Sequence, residues 1–224
     1  MNIVSAGYEI LTPISEGGIE ELKRIERVAR TCYKSEDKIT EDGESAKKMV
    51  KNLIKSDHCA MIEHSTLSVK FIVDRGIANE IVRHRIASYA QESTRYCCYT
   101  KEKFGNQLSV IDISDGLALD PKASSSYIET LGQIVDTWEN AMANAELAYK
   151  KMIELGASPQ IARSVLPLST KTELVMTANY REWRNFFKLR TDVSSHPQIR
   201  EVAIPLLKEL QSRIPIIFDD IEVA

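Results

Sequence analysis

The run Arg83-His84-Arg85-Ile86-Ala87-Ser88-Tyr89-Ala90-Gln91-Glu92-Ser93-Thr94-Arg95 sets three guanidiniums, an imidazole and several hydroxyls beside a nearly all-apolar stretch. Arg carries a planar, permanently charged fork of donors that matches phosphate or carboxylate geometry. A guanidinium buried without a partner costs several kcal/mol. Arginines at a core boundary therefore call for internal acids or an anionic ligand. The competing account is a solvated helix end whose arginines pair with Glu80 and Glu92.

Two further groups of residues bear on that choice. His58-Cys59-Ala60-Met61-Ile62-Glu63-His64 holds two of the four histidines. Zinc sites with both imidazoles on one helical face use His-Glu-x-x-His or His-x-x-Glu-His. Here four residues separate His58 from Glu63-His64, so structural histidines or a ligand loop with a carboxylate fit better, and no metal is expected. Farther on, Arg181 and Asn185 are four apart and share a helical face, with Asn179 before them and Arg190 near the helix end. Trp183, Phe186 and Phe187 supply a core-facing stripe. The polar side joins amides to guanidiniums, a set suited to heterocycle edges and phosphates.

Nucleophiles are poorly supported. The cysteines are Cys32, Cys59, Cys97 and Cys98, with no Cys-x-x-Cys pair. Cys97 and Cys98 are expected to be partly buried thiols in a reducing compartment, although Arg95 lies close to them. Ser93 has no base beside it in sequence, and an activated serine needs one, so a binding role is expected. No Gly-x-Gly-x-x-Gly follows a strand and only nine glycines occur, which excludes a Rossmann phosphate cradle. A dinucleotide would have to be held by side chains.

Arg83-His84-Arg85, seven residues, then Ser93 and Arg95-Tyr96 resembles the signature of the flavin-dependent thymidylate synthases. Other blocks follow in order: His58 with Glu63-His64, Arg163-Ser164-Val165-Leu166-Pro167-Leu168, and Asn179 to Arg190. The resemblance covers roughly residues 50 to 205. Ala90-Gln91, Ala60 and Glu80 depart from it, standing where Asn-Glu, Thr and Gln are frequent.

The resemblance implies methylation of uracil C5 of dUMP. Methylenetetrahydrofolate gives the carbon and FAD, reduced by NADPH, gives the hydride. It implies homotetramers with active sites where subunits meet. Glu80, Ile81, Val82, Arg83, Gln91, Glu92, Ser93, Thr94, Arg95 and Arg163 match positions that hold dUMP. Arg190 matches an arginine that polarises the pyrimidine. His58, Arg83, His84, Arg85, Gln91, Asn179, Arg181 and Asn185 match positions at or near the flavin. The chemistry stands on its own terms as well. Uracil C5 becomes nucleophilic when negative charge on the ring is stabilised, and a fixed guanidinium does this in a dry site. That role goes to Arg190, with covalent attack by Ser93 a minor route.

The elements that must position these groups form one domain, residues 1–224, of α+β (α/β) class, helix-rich around a small central sheet. Met1 to Ile14 reads as strand-like. A helix follows Gly17-Gly18 and carries Ile19, Leu22, Ile25, Val28 and Ala29. After a charged loop, Lys34 to Glu44, comes a second helix with Ala46, Met49, Val50, Leu53 and Ile54. Leu67, Val69, Phe71 and Val73 alternate as a strand. Ile77, Ala78, Ile81, Val82, Ile86 and Ala87 fall near helical spacing, which puts Arg83 to Arg85 towards a helix end, and Tyr89 to Tyr99 reads as irregular or extended. Leu108 to Ile113 is a strand. Ser126 and Glu129 could box the start of a long helix, about 127–154, ended by Gly156. A short helix from Pro159 contains Arg163, Thr172 to Ala178 is a strand, and the last helix kinks at Pro205.

Composition bounds the function. The chain has 43% hydrophobic and 27% charged residues, net charge −3. This is ordinary for a globular protein and argues against a nonspecific nucleic-acid binder. A single-stranded nucleic-acid module built on Tyr89, Tyr96 and Tyr99 is the other class considered, with a zinc hydrolase using His58, Glu63, His64 and His84 the third. No secretory signal and no spanning segment is recognised, so a cytoplasmic enzyme is expected.

Overall fold

Leu67, Val69, Phe71 and Val73 are all fully buried, and this alternation makes Thr66–Asp74 a strand with one face in the core. The computed structural model describes residues 1–122 and 125–223, with side chains outside 123–129. Its strands are β1 (Asn2–Val4), β2 (Gly7–Ile10), β3 (Thr66–Asp74), β4 (Ala87–Gln91), β5 (Ser109–Ile111) and β6 (Lys171–Asn179). Its helices are α1 (Ile19–Tyr33), α2 (Glu44–Lys55), α3 (Arg75–Ile81), α4 (Ser114–Ala118), α5 (Ser125–Glu154), α6 (Pro159–Ala162), α7 (Tyr180–Arg190) and α8 (Pro197–Arg213). The strands hydrogen-bond in the order β2-β3-β6-β4, while β1 runs parallel to β5 with Ile3 opposite Val110. The class is α+β and helix-rich, as expected.

Chain contacts divide the protein into two compact units, each built from separate stretches. The first comprises Met1–Gly7, Phe71–Arg83 and Tyr89–Val175; the second comprises Tyr8–Lys70, His84–Ser88 and Met176–Ala224.

In the second unit, Leu22, Ile25 and Ala29 of α1 and Ala46, Val50 and Leu53 of α2 are buried. Gly18 lets α1 begin against the C-terminal segment: its φ is +66°, and a Cβ there would meet Ile214 Cγ2 at 2.7 Å. Trp183, Phe186 and Phe187 of α7 are fully buried and stack or meet edge to face. Each contributes about 1.5–3 kcal/mol by burial. Trp183 Nε1 donates to Leu67 O at 3.0 Å, which fixes the rotation of α7. Arg184 is buried and donates through both terminal nitrogens to Asp220 at 2.6 Å and through one of them to Ile217 O, anchoring the end of the chain.

In the first unit, Tyr99, Leu108, Val110, Met142, Tyr149 and Ala162 form the core. The long helix α5 supplies Met142 and Tyr149. Gly156, at φ +91°, ends that run, with Ala157 N donating to Met152 O at 2.9 Å.

Several expectations are corrected. The helix after the central strand stops at Ile81, so Arg83 to Arg85 lie beyond it. Asp74 caps its start by accepting from Ile77 N at 2.7 Å. The apolar pattern fails past Ile81, because Ile86 is 69% exposed. Ala87 to Gln91 is a true strand, with turns after it. The first strand-like run is two strands, and the strand at Leu108 to Ile113 shrinks to Ser109–Ile111. Arg163 caps α6 and opens a 3-10 turn to Val165 rather than sitting inside the helix. α5 begins at Ser125, and the Ser126/Glu129 box falls outside the described side chains.

Candidate active site

The Arg-His-Arg motif buries its imidazole and exposes its guanidiniums. His84 is 4% exposed, whereas Arg83, Arg85 and Arg95 are exposed. The inference from buried arginines is therefore corrected: these groups are solvated at no large cost. Arg95 lies over the Tyr96 ring at 5.5 Å. Glu92 does not pair with them; its oxygens accept from Tyr99 OH at 3.1 Å and from Lys171 Nζ at 3.3 Å.

The first unit contains a cleft of about 430 Å³ lined by Arg75, Asn79, Thr94, Gln160, Arg163 and Ser164, with Leu166 to Leu168 beside them. Arg163 Nη1 donates to Thr94 Oγ1 at 3.2 Å. Arg75 is held by Thr172 Oγ1 and the Glu92 carbonyl at 3.3 and 3.4 Å, while its own N–H donates to Leu168 O at 2.9 Å. Of the expected nucleotide ligands, Thr94 and Arg163 line this cleft. Gln91 Nε2 donates to Thr172 Oγ1 at 3.3 Å. Ile81 is fully buried and its carbonyl accepts from Tyr89 OH, so it presents no side chain to solvent. Glu80 and Ser93 are half-buried, Val82 exposed. Ser93 Oγ accepts from Arg95 N at 3.3 Å; among the described residues it has no basic side chain as partner. Of the other lining residues, Arg75, Asn79 and Gln160 belong to no sequence motif, and Ser164 appears only within the Arg163 to Leu168 block. The spacing of Gln160 and Ser164, four apart beside Arg163, was the available signal.

The second unit contains a cleft of about 410 Å³ lined by Glu63, Ile86, Asn179, Arg181, Glu182 and Asn185. Asn179 caps α7, its side-chain oxygen accepting from Glu182 N at 2.8 Å, which leaves its amide N–H₂ for other partners. Arg181 meets Glu63 at 2.6 Å. Asn185 Nδ2 and His84 Nδ1 both reach Glu182 Oε1, at 3.2 and 2.8 Å. Arg190 Nε donates to His84 Nε2 at 3.1 Å. Burial, then the Arg190 charge, push the His84 pKa below its ordinary value, with Glu182 opposing. Asn179, Arg181 and Asn185 thus share one cleft, and His84 and Arg190 join it through Glu182. Arg85 is exposed. His58 lines a separate cavity of about 250 Å³ with Cys32, Tyr33 and Met61. Among the described residues, no group of three or more His, Cys, Asp or Glu side chains is gathered to hold a metal ion.

Arginines and amides line both polar clefts of this α+β chain, a donor set suited to anionic groups and heterocycle edges. The profile of the thymidylate synthase complementing proteins matches residues 19–216, and the chain belongs to that family. It is similar to proteins named flavin-dependent thymidylate synthase. That of Mycobacteroides abscessus is 31% identical over 205 residues, 89% of this chain and 79% of the relative. That of Mycolicibacterium vanbaalenii is 30% identical, with the same coverage. That of Corynebacterium aurimucosum is 26% identical over 211 residues, 94% of this chain and 84% of the relative.

Proposed function

We propose that this protein is a flavin-dependent thymidylate synthase, acting as one domain over residues 1–224. It converts dUMP to dTMP with methylenetetrahydrofolate as carbon donor, FAD as cofactor and NADPH as reductant. The observation that carries the assignment is the sharing of one polar cleft by Asn179, Arg181 and Asn185, three of the residues expected to hold the flavin.

That donor set fits the cofactor. Arg181 suits a diphosphate, and the two amides suit the edges of a heterocycle, each offering donor and acceptor. His58, Arg83, His84, Arg85 and Gln91 complete the proposed flavin set. The reduced flavin, when bound, supplies the hydride.

The dUMP phosphate goes to Arg163 with Thr94, where a fixed fork and a hydroxyl face open space. Ser93, Arg95, Gln91, Glu92, Arg83 and the turn Glu80 to Val82 surround the remainder of the nucleotide. Arg190 is the group assigned to stabilise negative charge placed on the pyrimidine, which raises the nucleophilicity of C5 without a covalent bond at C6. One such donor is worth about 10²–10³ in rate. Ser93 binds rather than attacks, since it lacks a base.

The assembly is a homotetramer whose active sites are completed where subunits meet. Leu147, Leu155, Ile161 and Leu168 of the first unit are 59–75% exposed and supply apolar surface for further copies. The enzyme is cytoplasmic: its cysteines are unpaired, as in a reducing compartment, and no described helix is long and apolar enough to cross a membrane. A net charge of −3 weighs against nonspecific nucleic-acid binding.

The test is spectral and chemical. The purified protein is expected to be yellow, with a flavin absorbance perturbed by dUMP, and to form dTMP only with both methylenetetrahydrofolate and NADPH. A colourless protein that neither binds added FAD nor makes dTMP overturns the assignment.

A further inference from the structure

We infer that Glu182, which no sequence motif singled out, is a positioning residue that acts through His84 to set the orientation of the Arg190 guanidinium. The inference deepens the proposed function and rests on its placing of Arg190 at the pyrimidine.

The argument follows the protons. Arg190 is always protonated, and its Nε donates to His84 Nε2 at 3.1 Å. Nε2 must therefore carry a lone pair. A neutral imidazole with a bare Nε2 has its proton on Nδ1, which donates to Glu182 Oε1 at 2.8 Å. The opposite tautomer, or the imidazolium, would set two N–H groups against each other at Arg190. Glu182 selects the arrangement that lets His84 accept.

Glu182 is itself held. It is 8% exposed, its backbone N–H is capped by Asn179 at 2.8 Å, and Asn185 donates to the same carboxylate oxygen at 3.2 Å. His84 is packed against the Phe186 ring with centroids 5.0 Å apart. Of the side chains expected at the flavin, Asn185 thus also braces the carboxylate that fixes the tautomer, and Asn179 holds the backbone that carries it. An orienting partner of this kind is what keeps a catalytic or binding imidazole in one form.

The experiment uses the holoenzyme labelled with ¹⁵N at histidine, together with steady-state kinetics, for wild type, Glu182→Ala, Glu182→Gln and Arg190→Ala. Wild type is expected to show His84 as a neutral imidazole with a protonated Nδ1 and a bare Nε2. Glu182→Ala is expected to lose that preference and to lower kcat about 10²-fold, with flavin still bound. In Glu182→Gln an amide oxygen can still accept. The tautomer and most of the turnover should persist, while His84 takes its proton at lower pH because the negative charge is gone. A protonated Nε2 in wild type overturns the inference, as does a Glu182→Ala enzyme with unchanged tautomer and turnover. So does a Glu182→Gln enzyme whose His84 titrates as in wild type. If Arg190→Ala keeps full turnover, the role of Arg190 in the proposed function is what fails, and the nitrogen spectra still report separately on the hold of Glu182 on His84.

Discussion

Arg163 and Thr94, 69 residues apart in sequence, meet through Arg163 Nη1 and Thr94 Oγ1 at 3.2 Å. Thr94 is buried and cannot move far, so it orients an arginine that is otherwise exposed. A charge-assisted hydrogen bond contributes about 1.5–3 kcal/mol, or roughly tenfold to a hundredfold in affinity. Arg163→Ala is therefore expected to raise the Kd for dUMP by that factor, with flavin absorbance unchanged. Titration calorimetry reads it, and an unaltered Kd removes Arg163 from the phosphate site.

Ser93 is expected to be dispensable for bond making. Its side-chain oxygen accepts from Arg95 N at 3.3 Å in a tight turn that also takes the amides of Tyr96 and Cys97 onto the Ser93 carbonyl. Ser93→Ala should leave measurable dTMP formation, with a loss of about tenfold or less from weaker binding. The quadruple Cys→Ser variant should also stay active, since Cys59 and Cys98 are buried and burial pushes the Cys59 thiol above its ordinary pKa. Complete loss of activity in Ser93→Ala with intact dUMP binding would revive covalent attack.

The sequence was most readable where one periodicity dominated. Leu67 to Val73 alternate over enough residues to define β3, and the spacing of Trp183, Phe186 and Phe187 shows which side of α7 is buried. Asn179, Arg181 and Asn185 could be grouped because they lie on one short helix and its cap. The environment of His84 was not readable, since it depends on Glu182, 98 residues away. Arg83 and Arg85 are exposed for a local reason. The helix ends at Ile81, and beyond it the chain turns His84 inward while Arg83 and Arg85 go to solvent. Arg75 was overlooked because its role comes from contacts with Thr172 and the Glu92 carbonyl on distant segments.

Glu63 competes for a proposed cofactor ligand. Its carboxylate lies 2.6 Å from Arg181, and the two side chains are 42% and 54% exposed. A pair so open to water adds little to stability, so breaking it should not harm the fold. An anionic ligand approaching Arg181 shares that guanidinium with Glu63 and feels its negative charge. Glu63→Gln is expected to tighten FAD binding severalfold at low ionic strength, with the gain shrinking as salt is added. Flavin fluorescence titration at two salt concentrations checks this, and weaker binding in Glu63→Gln would mean that the carboxylate contacts the cofactor directly.

His84 gives the protein a pH signature. Among the groups facing the imidazole are the Glu182 carboxylate, the Arg190 guanidinium and the Phe186 ring. Burial first, then Arg190, hold its pKa below the ordinary 6.5, against the pull of Glu182. Above pH 6.5 the imidazole is neutral in both folded and unfolded chains, and titration of this group leaves stability unchanged. As pH falls through 6.5 the unfolded chain takes up the proton while the folded one resists, so stability declines until the folded pKa is passed. Urea unfolding between pH 8 and pH 5 should show this loss in wild type. His84→Gln should be less stable at pH 8 by about 1–3 kcal/mol, from the broken hydrogen bonds, but its stability should fall less steeply below pH 6.5. Parallel curves for the two proteins would show that His84 is protonated alike in the folded and unfolded chains, contrary to the bare Nε2 on which its contact with Arg190 depends.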